Sequence, residues 1–450
     1  MKTLRLVLVM ASIVVPLNES WAIAYEVGEG SEYRDPASFA WSELRPGDRV
    51  HIRDGSYANR IIIGAHGTET APIEITADKQ AILSTSLILD GARFVILSDL
   101  QVAGAEGAGF VLSHGARQNM LHRVSVRKSG LGVLIMDGAG PGNVVERGTF
   151  VDNITHGIAV DRVNATKSLP GVFRDNFVSG NGYHGIDIYG SYYRVERNRV
   201  SGNGGGIAGT SGIHVFARDR FSGYGSHNLV RGNVISGQIE TTGRDGNGIQ
   251  LDTWCDHNEV VFNLAFGNDG PGVNLYDASL NLVTNNTLVG NMQRADSAHL
   301  LRGELVIASD EELQLDHARN NIVANNLIVV TDVATAGFAI HRSIQGAPAA
   351  FSGNLIWRTG PGPIAIWAGQ AIDSIDAWNR RQPGYLDRRA DPGFDLTIGS
   401  KSRPPSVAFR PSSNAVLAGF HGLPAAGARD LQNTATQPGL TGALMPVPAR

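Results

Sequence analysis

The chain has 450 residues, 55 of them glycine, with 18% charged residues and a formal net charge of −4. So mild a negative balance gives no electrostatic case for a nucleic-acid partner. The length exceeds what one compact core usually fills, and points to an architecture that grows along a single axis.

In chain order, the first element is a targeting segment. Lys2 and Arg5 precede an apolar run from Leu6 to Val15, and Ala22-Ile23-Ala24 offers a cleavage site before Tyr25. The run is too short to span a bilayer. The expectation is a signal peptide over 1–24, a periplasmic or secreted protein without a membrane span, and a monomer. A lone cysteine, Cys255, excludes an internal disulfide and reads as a small buried residue.

From Pro46 onward the pattern is of short strands between glycine turns: Asp48-Arg49-Val50-His51-Ile52, then Ile61-Ile62-Ile63, then Pro72-Ile73-Glu74-Ile75-Thr76-Ala77. A motif then returns five times, as Gly157-Ile158-Ala159-Val160, Gly185-Ile186-Asp187-Ile188, Gly212-Ile213-His214-Val215, Gly248-Ile249-Gln250-Leu251 and Gly272-Val273-Asn274-Leu275, at spacings of 28, 27, 36 and 24 residues. That period, without helical phase, predicts an all-β, right-handed parallel β-helix over 25–360. Asparagines recur between the motifs (Asn228, Asn233, Asn258, Asn263, Asn268, Asn281, Asn286, Asn291, Asn326) and are read as inward structural ladders. Two stretches exceed the period, Asn164 to Pro170 and Ala217 to Gly225, and are read as loops on the binding face. The region 361–450, with Trp367, Trp378 and a Pro-rich end, is read as a C-terminal cap and extended tail, opposite an N-terminal cap.

Strand alternation sends Ile158, Ile186, Ile213, Ile249 and Val273 inward, with Val160, Ile188, Val215, Leu251 and Leu275. Two outward columns remain: Ala159, Asp187, His214, Gln250, Asn274; and Asp161, Tyr189, Phe216, Asp252, Tyr276. Aromatic and hydrogen-bonding side chains at rung spacing suit an extended polysaccharide. His214, with Asp187 beside it and Asp252 one rung beyond, is the candidate proton-transfer group, placed on an exposed sheet. Arg218 and Arg220 on the following loop are candidate partners for a substrate carboxylate. Gln250, Asn274, Tyr276, Trp254 and Phe216 are candidate sugar contacts, and Lys167 is an alternative base. Asp187, Asp252, Asp269 and Asn274 could supply oxygens to Ca²⁺, although the spacing does not demonstrate a metal site.

The opening "PGDRVHIRDGSY…GTETAPIEITA" and the closing stretch from Trp378 through Asp391-Pro392-Gly393-Phe394 to Phe409-Arg410-Pro411 resemble secreted parallel β-helix proteins of the pectate-lyase-like superfamily. They are most similar to its chondroitinase-B-like and alginate-lyase-like group. The superfamily implies action on, or binding of, an acidic polysaccharide. The Asp-Pro-His-Asp motif of alginate epimerases is absent, as is the Gly-His-Gly of polygalacturonases, which His156-Gly157 and His184-Gly185 only echo. The expected activity is a polysaccharide lyase that cleaves a uronate polymer by β-elimination, with His214 or a nearby Tyr as base, Tyr189 or Tyr276 as proton donor and Arg218 or Arg220 neutralising the carboxylate. Three alternatives stand beside it. The first is an inverting glycoside hydrolase using Asp187 and Asp252, expected on the order of 10 Å apart or more. The others are a uronate C5-epimerase and a binding protein without catalysis.

Overall fold

The computed structural model describes residues 22–241, 245–294, 301–310, 317–344, 347–381 and 386–392. The expected signal peptide lies outside these residues, except for its last three positions. The closing stretch from Gly393 onward lies outside them too.

Each coil of the chain contributes one strand to each of three sheets of thirteen strands, and neighbouring strands are three apart in sequence order except at one end of two of the sheets. Nearly every pairing is parallel, so the molecule is a right-handed parallel β-solenoid, as the repeat predicts. The sheet that matters for function contains β1 (Leu131–Ile135), β2 (Ile158–Asp161), β3 (Ile186–Tyr189), β4 (Ser211–Phe216), β5 (Asn247–Asp252), β6 (Val273–Tyr276) and β7 (Gly303–Ala308).

The register matches the motif. Ile158 pairs with Ile186, Ile186 with Ile213, Ile213 with Ile249 and Ile249 with Val273. All five side chains are fully buried, as are Ile188, Val215, Leu251 and Leu275. The repeated glycine has a packing cause. A Cβ on Gly157, Gly185, Gly212 or Gly248 would lie 2.6–2.8 Å from the carbonyl oxygen of the next motif glycine, so any side chain would push the coils apart.

The asparagines form the inward ladders expected of them. In one, the amides run Asn153, Asn181, Asn203, Gln238, Asn268, Asn291, each donating to the next side-chain oxygen except at Gln238, whose backbone N–H makes the link to Asn268. It ends on the buried carboxyl of Glu304, which accepts from Asn291 at 2.7 Å. A second runs Asn176, Asn198, Asn233, Asn263, Asn286, Asn326, Asn354 and ends on Asp387, to which Trp378 Nε1 also donates at 2.8 Å. Each rung satisfies backbone and amide groups that an apolar interior would otherwise strand. Trp378 belongs to a short helix, α1 (Ile375–Arg381), and is fully buried against Phe338 and Phe351. Cys255 is a buried free thiol that donates to the carbonyls of Asp252 and Val215.

Among the described residues no helix is long and apolar enough to cross a membrane.

Candidate functional site

The outward columns exist as drawn from the sequence. Asp187 stands beside Ala159 on one side and His214 on the other, His214 beside Gln250, and Gln250 beside Asn274. In the next column Asp161 pairs with Tyr189, Phe216 with Asp252 and Asp252 with Tyr276.

The centre of the site is His214. Its Nδ1 donates to Asp187 Oδ1 at 2.8 Å and its Nε2 donates to Asp252 Oδ2 at 3.2 Å, so both ring nitrogens end on carboxylates. The two acids are thus separated by one imidazole ring, closer than the ~10 Å or more expected from their strand positions. Burial alone would pull the imidazole down; the bonds to Asp187 and Asp252 outweigh it and hold the pKa up at about 10. Burial acts the other way on Asp187, but the bond from His214 and the neighbouring imidazoles drive it well below the carboxylate range. His214 is therefore a cation pinned by two acids.

This corrects two expectations. His214 is only 9% exposed, and Gln250 and Asn274 are buried as well, so this column is not an open sheet face. Gln250 is held inside a polar network, accepting from Ser211 Oγ at 2.7 Å and Asn247 Nδ2 at 2.8 Å. And a histidine with both nitrogens donating has no lone pair with which to take a proton.

Three residues the sequence reading did not place here complete the cluster. His184 stacks on His214, ring centroids 4.3 Å apart and 12° between planes. Its Nδ1 accepts the Ser211 backbone N–H at 2.9 Å, which leaves Nε2 carrying the proton. Burial, and then the charge of His214, push it well below its ordinary value, so it is neutral. Tyr183 lies over His184 at 3.9 Å and edge-on to His156 at 5.1 Å. Burial, then the charge of Asp187, raise its hydroxyl. His156 has its Nε2 3.7 Å from Asp187 and a buried Nδ1 with no partner among the described residues. Burial lowers it below 6.5 against the pull of Asp187, leaving a neutral imidazole without a side-chain hydrogen bond. These three residues sit on the turns entering β2 and β3, just before the motif glycine. The His-Gly pairs noted in the sequence were their only signal.

The remaining candidates lie around this centre. Tyr189 packs against Phe216 at 5.2 Å and Tyr224 at 4.9 Å, and Phe216 is parallel to His214 at 5.9 Å. Tyr276, next to Asp252, is raised strongly by burial and by Asp310. Arg218 and Arg220 are exposed and form no ion pair among the described residues; the Arg220 guanidinium lies over Phe221 at 4.6 Å. Trp254 turns away on a backbone of φ +59° and packs against His317 at 4.3 Å. Lys167 is exposed and its charge acts on His227, not on the His214 cluster.

The oxygen set suggested for Ca²⁺ does not fit. Asp187 and Asp252 are engaged by His214, Asp269 accepts from the Glu240 backbone N–H, and Asn274 is buried. The group whose ligand atoms do converge, within 4.8 Å, is His184, Asp187 and His214. It is rich in imidazole, which suits late transition ions better than Ca²⁺.

Comparison with known proteins agrees with this architecture. Residues 162–308 match the family model described as "Right handed beta helix region". The fold is that of a right-handed parallel β-helix. Residues 46–219 also match the model described as "Periplasmic copper-binding protein (NosD)". Among solved structures, the chain is similar to the A-module of the Azotobacter vinelandii mannuronan C-5 epimerase AlgE4, with 16% identity and a TM-score of 0.54 over 72% of this chain and 91% of that one. The A-module of AlgE6 from the same organism gives 17%, 0.51, 73% and 91%. A mannuronic-acid-specific polysaccharide family 6 lyase from human gut microbiota gives 16%, 0.49, 71% and 82%. At these identities the likeness is one of fold. No curated protein matches the chain.

Proposed function

We propose that this protein is an exported enzyme that removes the C5 proton of a uronate residue in an acidic polysaccharide, with β-elimination as the outcome. The observation that carries the reading is the layered cluster: a cationic His214 fixed between Asp187 and Asp252, and next to it two neutral imidazoles and a protonated phenol. Elimination needs a neutral base and a nearby acid held in one water-poor site. His156 is the base in this scheme, since it is neutral and its side chain makes no hydrogen bond. The C5–H electron pair becomes the C4=C5 double bond, the C4–O bond breaks, and Tyr183 protonates the departing oxygen. The His184 Nε2–H is available to the substrate carboxylate as its charge spreads in the transition state. The pinned His214 positions Asp187 and offsets one of the two carboxylate charges beside it.

C5-epimerisation is the second reading. It shares the first step and differs in that Tyr183 returns a proton to the opposite face of C5. The A-modules of AlgE4 and AlgE6, whose fold this chain shares, are named as mannuronan C-5 epimerases. Hydrolysis by Asp187 and Asp252 is disfavoured, because an inverting pair needs one acid free to protonate the leaving oxygen and the other free to activate water, and the His214 cation engages both.

The copper-binding description of one family model suggests a metal, and the cluster does not fit it. The His184 Nδ1 lone pair is taken by Ser211, and both His214 nitrogens donate to acids. No step is routed through a metal. A periplasmic or secreted location suits a polymer too large to enter the cytoplasm.

The test is a panel of uronic and neutral polysaccharides, read by unsaturated-uronate absorbance and by reducing ends. Elimination gives both signals and epimerisation gives neither, changing only the uronate composition. Reducing ends alone, without unsaturation, would reject the proposal.

A further inference from the structure

A second concave site lies on a different sheet from the His214 cluster. It is a cavity of about 570 Å³, lined by Phe177, Ser179, Arg199, Ser201, Ser236 and Ile239 among others. That is within the size range of small-ligand sites. The register builds it in two columns. Phe177 pairs with Arg199 and Arg199 with Val234; Ser179 pairs with Ser201 and Ser201 with Ser236. Val200 is buried beneath as the floor, and Ile239 forms a wall, lifted by a bridge between Gly204 and Ile239.

Three features distinguish this hollow from ordinary solenoid surface. Phe177 and Ile239 are 43% and 41% exposed and face one hollow together, whereas most large apolar side chains of the coils lie in the core. Arg199 is exposed and has no ion pair among the described residues, whereas Arg123, Arg174, Arg194 and Arg197 on the coils around it are each paired with an acid. The hydroxyls line up at rung spacing, with Ser201 Oγ donating to Ser179 Oγ at 3.1 Å. An uncommitted guanidinium beside an exposed ring and a row of hydroxyls is the donor set for a sugar ring that bears a carboxylate.

The geometry points to a second saccharide-binding site at Phe177, Arg199 and the Ser179–Ser201–Ser236 row, which takes one carboxylated pyranose of the polymer. The occupant rests on the polyuronate reading, and the site gives that reading an anchor. The strand Phe177–Ser179 leads through the turn of Tyr183 and His184 into β3, so the hollow and the proton-transfer cluster share one coil. A chain held here would be presented to the cluster across that turn.

Isothermal titration of the full-length protein with tetramannuronate, tetragalacturonate and their carboxyl-reduced counterparts tests this. The wild type is expected to bind an acidic tetrasaccharide at two sites per chain. Arg199→Ala should lose one of them, or weaken it by about tenfold or more, and Phe177→Ala should do the same. Arg60→Ala removes an exposed arginine near the start of the solenoid, many coils away, and should change nothing. Wild-type binding in both pocket variants, an equal loss in the Arg60→Ala protein, equal binding of the reduced sugars, or no binding at all would each overturn the proposal. Arg199-dependent binding without any chemistry at C5 would leave this site standing while the proposed function fell.

Discussion

Replacing His214 by alanine should destabilise the protein substantially, because it strands two acids. The imidazole is 11% exposed at its side chain and the partner carboxylates 22% each, so none is well solvated. Removing one member of a buried ion pair costs roughly 3–5 kcal/mol. An independent route gives a similar figure: raising an imidazole from 6.5 to about 10 corresponds to roughly 5 kcal/mol of preference for the charged form. For a chain of 450 residues that amounts to a melting-point drop of roughly 3–5 °C. The assay is thermal unfolding of wild type, His214→Ala and Asp187→Asn/His214→Ala at pH 7 and pH 5. The deficit should shrink at pH 5, as the stranded acids take up protons, and the double variant should recover part of it. The His214 contribution is whole below pH 6.5 and is lost as pH rises through about 10; the Asp187 contribution is whole above the ordinary aspartate range and is lost on acidification. A His214→Ala protein that melts within about 1 °C of wild type at pH 7 would refute the reasoning.

Tyr183→Phe and His156→Gln should each reduce turnover by about 10²–10⁴-fold with unchanged melting behaviour, measured by initial rates on the active polymer. The pH–rate profile should lose activity on the acid side below 6.5, where His156 protonates, and stay level through neutrality; an acid limb centred above 7 would exclude His156 as base. Glu304, which closes an asparagine ladder, is raised by burial to about 8, so its folded form keeps a proton that the unfolded chain releases. Its stabilising effect is whole below 4.5 and fades as pH rises to about 8, and Glu304→Gln should flatten the stability slope over that range in urea titrations. Ile213→Asp, which buries an unpaired charge in the stack, should cost more than about 4 kcal/mol and give little soluble protein.

The sequence carried the fold because two of its patterns are direct consequences of stacking. Glycine recurs where the next coil's carbonyl leaves no room for a Cβ, and asparagine recurs where an amide can bond the amide below. Strand alternation then placed Asp187, His214 and Asp252 together correctly. It could not place His156, Tyr183 and His184, which lie on turns where alternation no longer assigns a face and which meet the column only because the coil curves back. The degree of burial was equally hidden. Alternation says that His214 points away from the coil interior, but not that neighbouring turns and stacked rings cover it. That cover changes its chemistry, from a candidate base to a fixed cation. The hollow at Arg199 left no motif either, since its residues come from three coils and are individually ordinary.

The central claim is that a neutral His156 and Tyr183 work on a C5 proton beside a pinned His214. The most direct measurement is incubation with the active polyuronate in D₂O, followed by mass spectrometry and NMR of the C5 position and chain ends. The account predicts C4=C5-unsaturated ends, or deuterium at C5 if the proton is returned, with both signals lost in the His156→Gln protein. Saturated fragments with protium at every C5, or full activity in the His156→Gln protein, would contradict it.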